Sequence, residues 1–438
     1  TLSGGTLATD DGTISLWNVS TVIAEGILDA SGGTLELNAG LSVTGTLKTD
    51  SNTLLTLNNN ALDLSGGQAA TGGVLEASGI LNLDGITLDD KSTIKINADT
   101  TITSATQLTV NTVDLGTHFL MLGSETTDLT IAGSLTINYP GPNGLNSGDA
   151  NLTLNGPVNV LEGGILSSGG TVTFGTGSSG ASFSEVRAGM ILEDTTLVLQ
   201  TALDLPYLNL SGTSLLQTNG NALSMKGENT LEIGIESELD FTNLVTNSES
   251  VLRLIGNLAI TKTGDLVFKE IELEGYSLTL NTAINSLTAE NIDLPTWDQN
   301  HPNYSTTGTL MAQGVDVTIT KQKYIDKGTI VMGGGTLNLE QGAILTEDGE
   351  LDVSNGVLAL SGPFYNYGGT LTTLASTLRL NSNVKFRPMS SVTFDTYESN
   401  GWGLIFEEGE LTLGGNPTLQ PNAESLTSGF VNNYNPAF

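Results

Sequence analysis

Few residues in this 438-residue chain are of types that do chemistry. It has two histidines, His118 and His301, four arginines, at 187, 253, 379 and 387, and no cysteine. No His-Glu-x-x-His pair, Gly-x-Ser-x-Gly elbow or Walker loop occurs, so the usual zinc, serine-nucleophile and phosphate-loop chemistries have no residues to carry them. Gly175-Thr176-Gly177-Ser178-Ser179-Gly180 spells the dinucleotide fingerprint. That fingerprint works only where a long helix opens at its last glycine and turns its N-terminus to a pyrophosphate. Here the chain soon reaches Gly189, and no strand-helix-strand spacing surrounds it. It reads as a corner loop.

Carboxylates are the next candidates, because paired acids can act as general acid and base. Adjacent pairs occur at Asp10-Asp11, Asp89-Asp90, Glu193-Asp194, Glu347-Asp348 and Glu407-Glu408. Neighbours on a strand face opposite sides, so a working dyad needs acids from different segments, ~5–10 Å apart. None of the arginines is read as recurring at a regular interval beside an acid. No catalytic residue, cofactor or metal site is assigned, and the chain is not expected to be an enzyme. What remains is aromatic. From Trp297 onward lie 14 of the 23 aromatics. Trp297, Tyr304, Tyr365, Tyr367, Trp402, Phe430, Tyr434 and Phe438 are the candidate contact surface, with a wider core or a cap as the plainer use of such residues.

The elements that would position them are short strands. A frame of apolar, any, apolar, then Asn or a small residue recurs: Leu35-Glu36-Leu37-Asn38, Leu55-Thr56-Leu57-Asn58, Leu75-Glu76-Ala77-Ser78, Ile94-Lys95-Ile96-Asn97, Val113-Asp114-Leu115-Gly116, Leu135-Thr136-Ile137-Asn138, Leu152-Thr153-Leu154-Asn155, Val172-Thr173-Phe174-Gly175 and Leu197-Val198-Leu199-Gln200. The steps between first positions are 20, 20, 19, 19, 22, 17, 20 and 25. Alternation at period two means strand. Return of one frame at such similar steps means stacked coils, each frame on its counterpart below. The fold expected is all-β: a single-stranded parallel β-solenoid of about 20-residue coils, two or three strands each. The Asn after each frame is expected to stack in a corner ladder. Residues 1–438 read as one continuous solenoid. Pro295, Trp297, His301, Pro302 and Tyr304 mark 285–310 as a protruding loop. Residues 361–438 form an aromatic-rich section with a cap or contact tail.

Charge narrows the partners. Fourteen basic residues against 47 acidic ones give a net charge of −33, which repels nucleic acid and anionic headgroups. The acids are scattered, which suits solubility and allows loose binding of divalent cations. No run approaches the ~18 apolar residues of a transmembrane helix. Thr1 suggests a mature or excised chain with its targeting signal removed.

Gly33-Thr34-Leu35-Glu36-Leu37, Gly335-Thr336-Leu337-Asn338-Leu339, Gly369-Thr370-Leu371 and the stretch from Gly349 to Gly362 resemble the repeats of autotransporter passengers and filamentous-haemagglutinin-type adhesins. The likeness spans most of the chain. It implies a right-handed β-helix, export from a bacterial cell, an extracellular or cell-surface location, and adhesion or surface coating. Expected partners are further copies of the chain, end to end as a filament, or a cell-surface glycan. The alternative is a β-helix that binds or cleaves polysaccharide, as lyase or hydrolase.

Overall fold

A computed structural model describes residues 1–413, apart from 10, 23–24, 51, 66–71, 105–106, 142, 184–188, 226–228, 236–237, 262–263, 295–306, 400–401 and 407–409. They form a parallel β-solenoid of about 17 turns, each of about 21 residues. Two compact units divide the chain, Thr1–Ser224 and Met225–Phe438. Among the described residues there is no α-helix, and one short 3-10 turn lies at Thr176–Ser178.

In the first unit a turn carries three strands. Gln107–Val110, Thr112–Asp114 and Leu120–Leu122 make one turn, and Asp128–Ile131, Leu135–Asn138 and Leu145–Asn146 make the next. Each pairs in parallel with its counterpart. Leu129, Leu152, Val172, Leu197 and Leu216 therefore stand one above another in a single column, one to each turn. Alternation decides what faces the interior. In Asn151–Leu154 the leucines are buried, while Asn151 and Thr153 are not. Each leucine so buried contributes ~1.5–3 kcal/mol relative to exposure. Backbones also meet closely where glycines stack. A Cβ on Gly156 would lie 1.5 Å from the carbonyl oxygen of Gly133, so only glycine fits there.

The repeating frames prove to belong to more than one column. Leu35 stacks on Leu55, but Leu75 stacks on Leu47. Likewise Leu135 stacks on Val158, whereas Leu152 belongs with Leu129 and Val172. The shortest step, from Leu135 to Leu152, is a move from one face to another. Every face carries the same alternation, so period alone does not say which face a frame occupies. Leu55 and Leu57 are only half-buried. Their sheet holds three strands, Thr13–Leu16, Thr34–Leu37 and Leu54–Thr56, so the last has a strand on one side alone.

The expected asparagine ladder is sparse. Asn58 Nδ2 donates to Asn38 Oδ1 at 3.0 Å, and Asn381 Nδ2 to Asn338 Oδ1 at 3.4 Å. Buried or half-buried hydroxyls hold many corners instead. Thr53, Ser92, Ser214 and Ser250 each donate to a backbone carbonyl of an earlier turn, at Ala30, Leu64, Leu192 and Met225. In Asp50–Thr53, Asp89–Ser92 and Asn247–Ser250 the same hydroxyl accepts from the backbone N–H of the Asp or Asn three residues earlier. The motif is Asp/Asn-x-x-Ser/Thr directly before a strand. It is visible in the sequence once its role is known.

In the second unit, strands bend around corners. Gly264–Glu272, Ile284–Asp293, Lys323–Val331 and Ala343–Asp352 each span nine or ten residues. The expected loop at 285–310 is therefore too wide. Residues 285–293 are strand, in register with Asp265–Glu272, because Leu287, Ala289 and Ile292 point inward between polar neighbours. The prolines and aromatics that suggested a loop lie in 295–306, outside the described residues. Beyond 361 the solenoid continues through Phe364–Tyr367, Thr377–Leu380, Val384–Arg387 and onward to Glu410–Leu413. Residues 414–438 lie outside the described residues.

An Ile96→Asp substitution should destabilise by on the order of 3–5 kcal/mol, the cost of an unpaired buried charge, while Lys95→Ala should change stability by less than about 1 kcal/mol. Urea unfolding of the two variants checks this, and equal effects would overturn the inward assignment. Ser250→Ala should cost about 1–2 kcal/mol through the lost bond to the Met225 carbonyl. The readout is a lower urea midpoint with an unchanged circular dichroism spectrum.

Candidate functional site

The aromatics of the second unit divide by alternation. In Phe364–Tyr367, Phe364 and Asn366 are buried, while Tyr365 and Tyr367 turn outward. Phe364 stacks on Phe386 with centroids 5.3 Å apart, and Phe386 meets Phe394 edge-on at 6.2 Å. These phenylalanines are core. The tyrosines are surface. Tyr324, Ile344, Tyr365 and Arg387 occupy one outward column, a turn apart each. Tyr367 lies beside it, in register with Thr346. The Tyr365 and Tyr367 rings are 6.2 Å apart, and the Arg387 guanidinium sits 5.0 Å over the Tyr367 ring. Tyr324 is 55% exposed and Tyr367 47%. Trp402 is exposed too, its backbone N–H bonded to Ser399 O at 2.8 Å, but no described ring contact joins it to the row. Trp297, Tyr304, Phe430, Tyr434 and Phe438 lie outside the described residues, and with them the tail expected to join copies end to end.

Tyr324 also borders a cleft of about 650 Å³, lined by Lys269, Glu270, Asn291, Asp293, Lys321 and Lys323 among others. Its origin is local. Lys321 N still donates to Glu290 O at 3.0 Å, continuing the stack from Asp316–Ile319 on Ser286–Ala289. Two residues on, Lys323 N donates to Gly342 O at 3.1 Å, and Lys323–Ile325 pair forward with Ala343–Leu345. Among the described residues no strand pairing joins Lys323–Ile325 to Asn291–Asp293, and the space between them is the cleft.

Lys323 is the unexpected residue here. It is 2% exposed and shares the inward phase of Ile325. Burial pulls its ammonium down to about 8, against the opposing pull of Asp293 and Glu270. Burial likewise raises the Asp293 carboxyl, with Lys323 opposing and Glu270, Glu272 and Glu274 adding to the rise. At the mouth, the Lys321 ammonium bonds Glu290 at 2.5 Å. That bond holds Glu290 below the usual carboxylate range and raises Lys321. Lys323 thus gives up its proton more readily than an exposed lysine, the condition for a lysine to act as base or nucleophile. The sequence did carry a sign of it. In Lys323-Tyr324-Ile325 the alternation set by Ile325 puts a lysine where an aliphatic belongs.

The expectation that no arginine recurs at coil spacing beside an acid is corrected. Glu232, Arg253 and Glu272 share one column. Arg253 bonds Glu232 Oε1 at 2.9 Å through Nη1 and Glu272 Oε2 through Nε. Arg379 bonds Glu398 at 2.6 Å, one turn on. Lys48, Glu76 and Lys95 alternate in the same way. Unequal intervals and changing residue types hid these columns from inspection of the letters. They balance charge along the stack. The fingerprint-like loop is a corner, with Ser178 donating to Leu154 O at 2.5 Å and the strand Ser182–Phe183 following. His118 sits half-buried at another corner, 3.8 Å from Asp99. Of the acid pairs, Asp89 accepts from the Lys91 backbone N–H within its own turn, and Asp194 from the Thr213 backbone N–H one coil on. Among the described residues no group of three or more His, Asp or Glu side chains gathers as a metal would require, and no helix is long and apolar enough to cross a membrane.

Comparison with protein-family models, with curated proteins and with solved structures finds no match.

Arg253→Ala should leave Glu232 and Glu272 unbalanced and lower stability by about 1 kcal/mol, a figure kept small because the pair is partly exposed. The loss should shrink in 1 M salt, where screening reaches about 3 Å. A loss independent of salt would show that the stem of Arg253 matters through packing alone.

Proposed function

We propose that this chain is a non-catalytic extracellular solenoid that adheres at or coats a cell surface, and that it holds a neutral glycan along the tyrosine row of its second unit. The row carries the proposal. Tyr365 and Tyr367 offer outward rings from one turn and Tyr324 from two turns before it, with Arg387 packed on Tyr367. Sugar rings present apolar C–H faces that rest on aromatic faces, and their hydroxyls need polar partners close by. The adjoining cleft supplies these through Gln322, Lys269 and Lys321. A net charge of −33 disfavours a polyanionic chain and leaves a neutral one. The solenoid is consistent with a β-helical passenger or adhesin, and the resemblance of its repeats to those of exported adhesins supports the surface location.

A cleaving reading has one observation in its favour: an amine drawn towards neutrality beside an acid in a cleft. Perturbed groups in clefts often mark catalysis, and structural networks perturb them as well. Incubation with neutral and acidic polysaccharides separates the two readings. Release of reducing ends or unsaturated products that Lys323→Arg abolishes would replace the non-catalytic proposal.

Binding is tested on a glycan array and by calorimetry with the best ligand. Tyr365→Ala with Tyr367→Ala should weaken binding at least about tenfold, equivalent to about 1.4 kcal/mol, with the melting temperature nearly unchanged. Loss on Trp297→Ala with Tyr304→Ala, and none on the tyrosine pair, would move the site to the 295–306 segment and sink the placement argued here.

A further inference from the structure

We propose that Lys323 and Asn291 become joined by an intramolecular isopeptide bond that closes the floor of the cleft in the second unit. The two side chains already meet. Lys323 Nζ donates to Asn291 Oδ1 at 3.5 Å, so the amine is in contact with the amide whose carbon it would attack. Asn291 Nδ2 in turn donates to Glu270 Oε1 at 3.2 Å. That contact places a carboxylate against the group that would leave. Asp293, two residues from Asn291, stands close enough to Lys323 for each to shift the other's proton affinity.

An amide and an ammonium are inert towards each other in water, for two reasons. The amine is protonated, and the departing nitrogen has no proton to leave with. Both obstacles are lowered here. Burial favours the neutral amine of Lys323, and burial also favours the protonated form of Asp293, which can hold and pass on a proton. Fixed contact supplies the remaining advantage, because reactants held together react as one molecule.

The step balances without any further reactant. The Nζ lone pair attacks Asn291 Cγ and a C–N bond forms. The Oδ1 oxygen takes up the carbonyl electron pair and then returns it. As the carbonyl re-forms, the Cγ–Nδ2 bond breaks. Nδ2 leaves as ammonia, carrying the proton that Nζ gives up, relayed by the carboxyl of Asp293 or Glu270. The products are a secondary amide between the two side chains and one ammonia. Nothing is oxidised or reduced.

The position suits a staple. Ser277–Thr279 stack on Thr309–Met311, which makes this turn longer than the usual one of about 21 residues. Longer turns cost more entropy to close, and a cross-link between residues 291 and 323 removes that freedom from the unfolded chain. The chain has no cysteine, so no disulfide can take this part. An amide does so whatever the redox state. It also consumes the amine, so that Lys323 would have no catalytic task left.

Intact-mass spectrometry of the purified, folded chain tests this. The expected mass is one ammonia below that of the sequence. Proteolysis should yield a branched peptide in which the Lys323 segment is joined to the Asn291 segment. Lys323→Arg and Asn291→Ala should each restore the full sequence mass. Glu270→Gln and Asp293→Asn, which keep the shape and remove the proton relay, should yield mostly uncross-linked chain. The wild-type mass decides the matter even if a variant fails to fold. A folded wild-type chain at its full sequence mass overturns the proposal. So does the loss of one water with the branch at Asp293, which would make the carboxyl and not the amide the acceptor.

Discussion

Backbone hydrogen bonding between turns is the constraint on which everything else rests. Adjacent strands lie ~4.8 Å apart, so each residue has a fixed neighbour one turn away. Thr171–Phe174 sits on Asn151–Leu154 with Val172 over Leu152 and Phe174 over Leu154. Once that register holds, side chains have no choice of partner. Leucine columns fill the interior, Gly156 must be glycine because Gly133 lies beneath it, and Arg253 falls between Glu232 and Glu272. An acidic chain could repel itself along such columns. Alternation of sign within them is how Lys48, Glu76 and Lys95 avoid it.

Corners carry the second demand. A chain that bends two or three times in every turn buries polar backbone at each bend, and buried carbonyls need donors. Ser92 and Ser250 meet this with one hydroxyl each, donating to a carbonyl of the turn below while accepting from the backbone N–H three residues earlier. Asparagines such as Asn60 and Asn221 also spend their amides on carbonyls of the turn before, at Leu37 and Leu199, and not on one another.

The cleft shows what happens where the register is interrupted. The stack is tight up to Lys321 on Glu290 and opens at Lys323. An inward lysine then replaces an aliphatic side chain, and acids gather within reach of it. The outward neighbours of the same strands form the tyrosine row. The two features share the strand Lys323–Val331: the row runs on from it through Ala343–Asp352 and Phe364–Tyr367, while the cleft takes its acids from Gly264–Glu272 and Ile284–Asp293. Lys323 is the inward contribution to the cleft, and the half-buried Glu270, Asn291 and Asp293 face it.

Period-two alternation and its return at similar steps settled the strand class, the stacking and the parallel solenoid, because those properties depend on local spacing alone. Leu152-Thr153-Leu154 could be read as strand with its leucines inward from the letters. The letters did not tell that Leu152 belongs with Leu129 and not with Leu135. All faces share one alternation, and which face a strand occupies depends on how many residues each corner absorbs. The same limit hid the Arg253 column and the Lys323–Asn291–Glu270 contacts, whose members lie a full turn or more apart in the chain. Tyr365 and Tyr367 were legible as a pair on one face. Tyr324 and Arg387 joined them only when the turns were stacked, since proximity across a solenoid is decided by register between turns and not by distance along the chain.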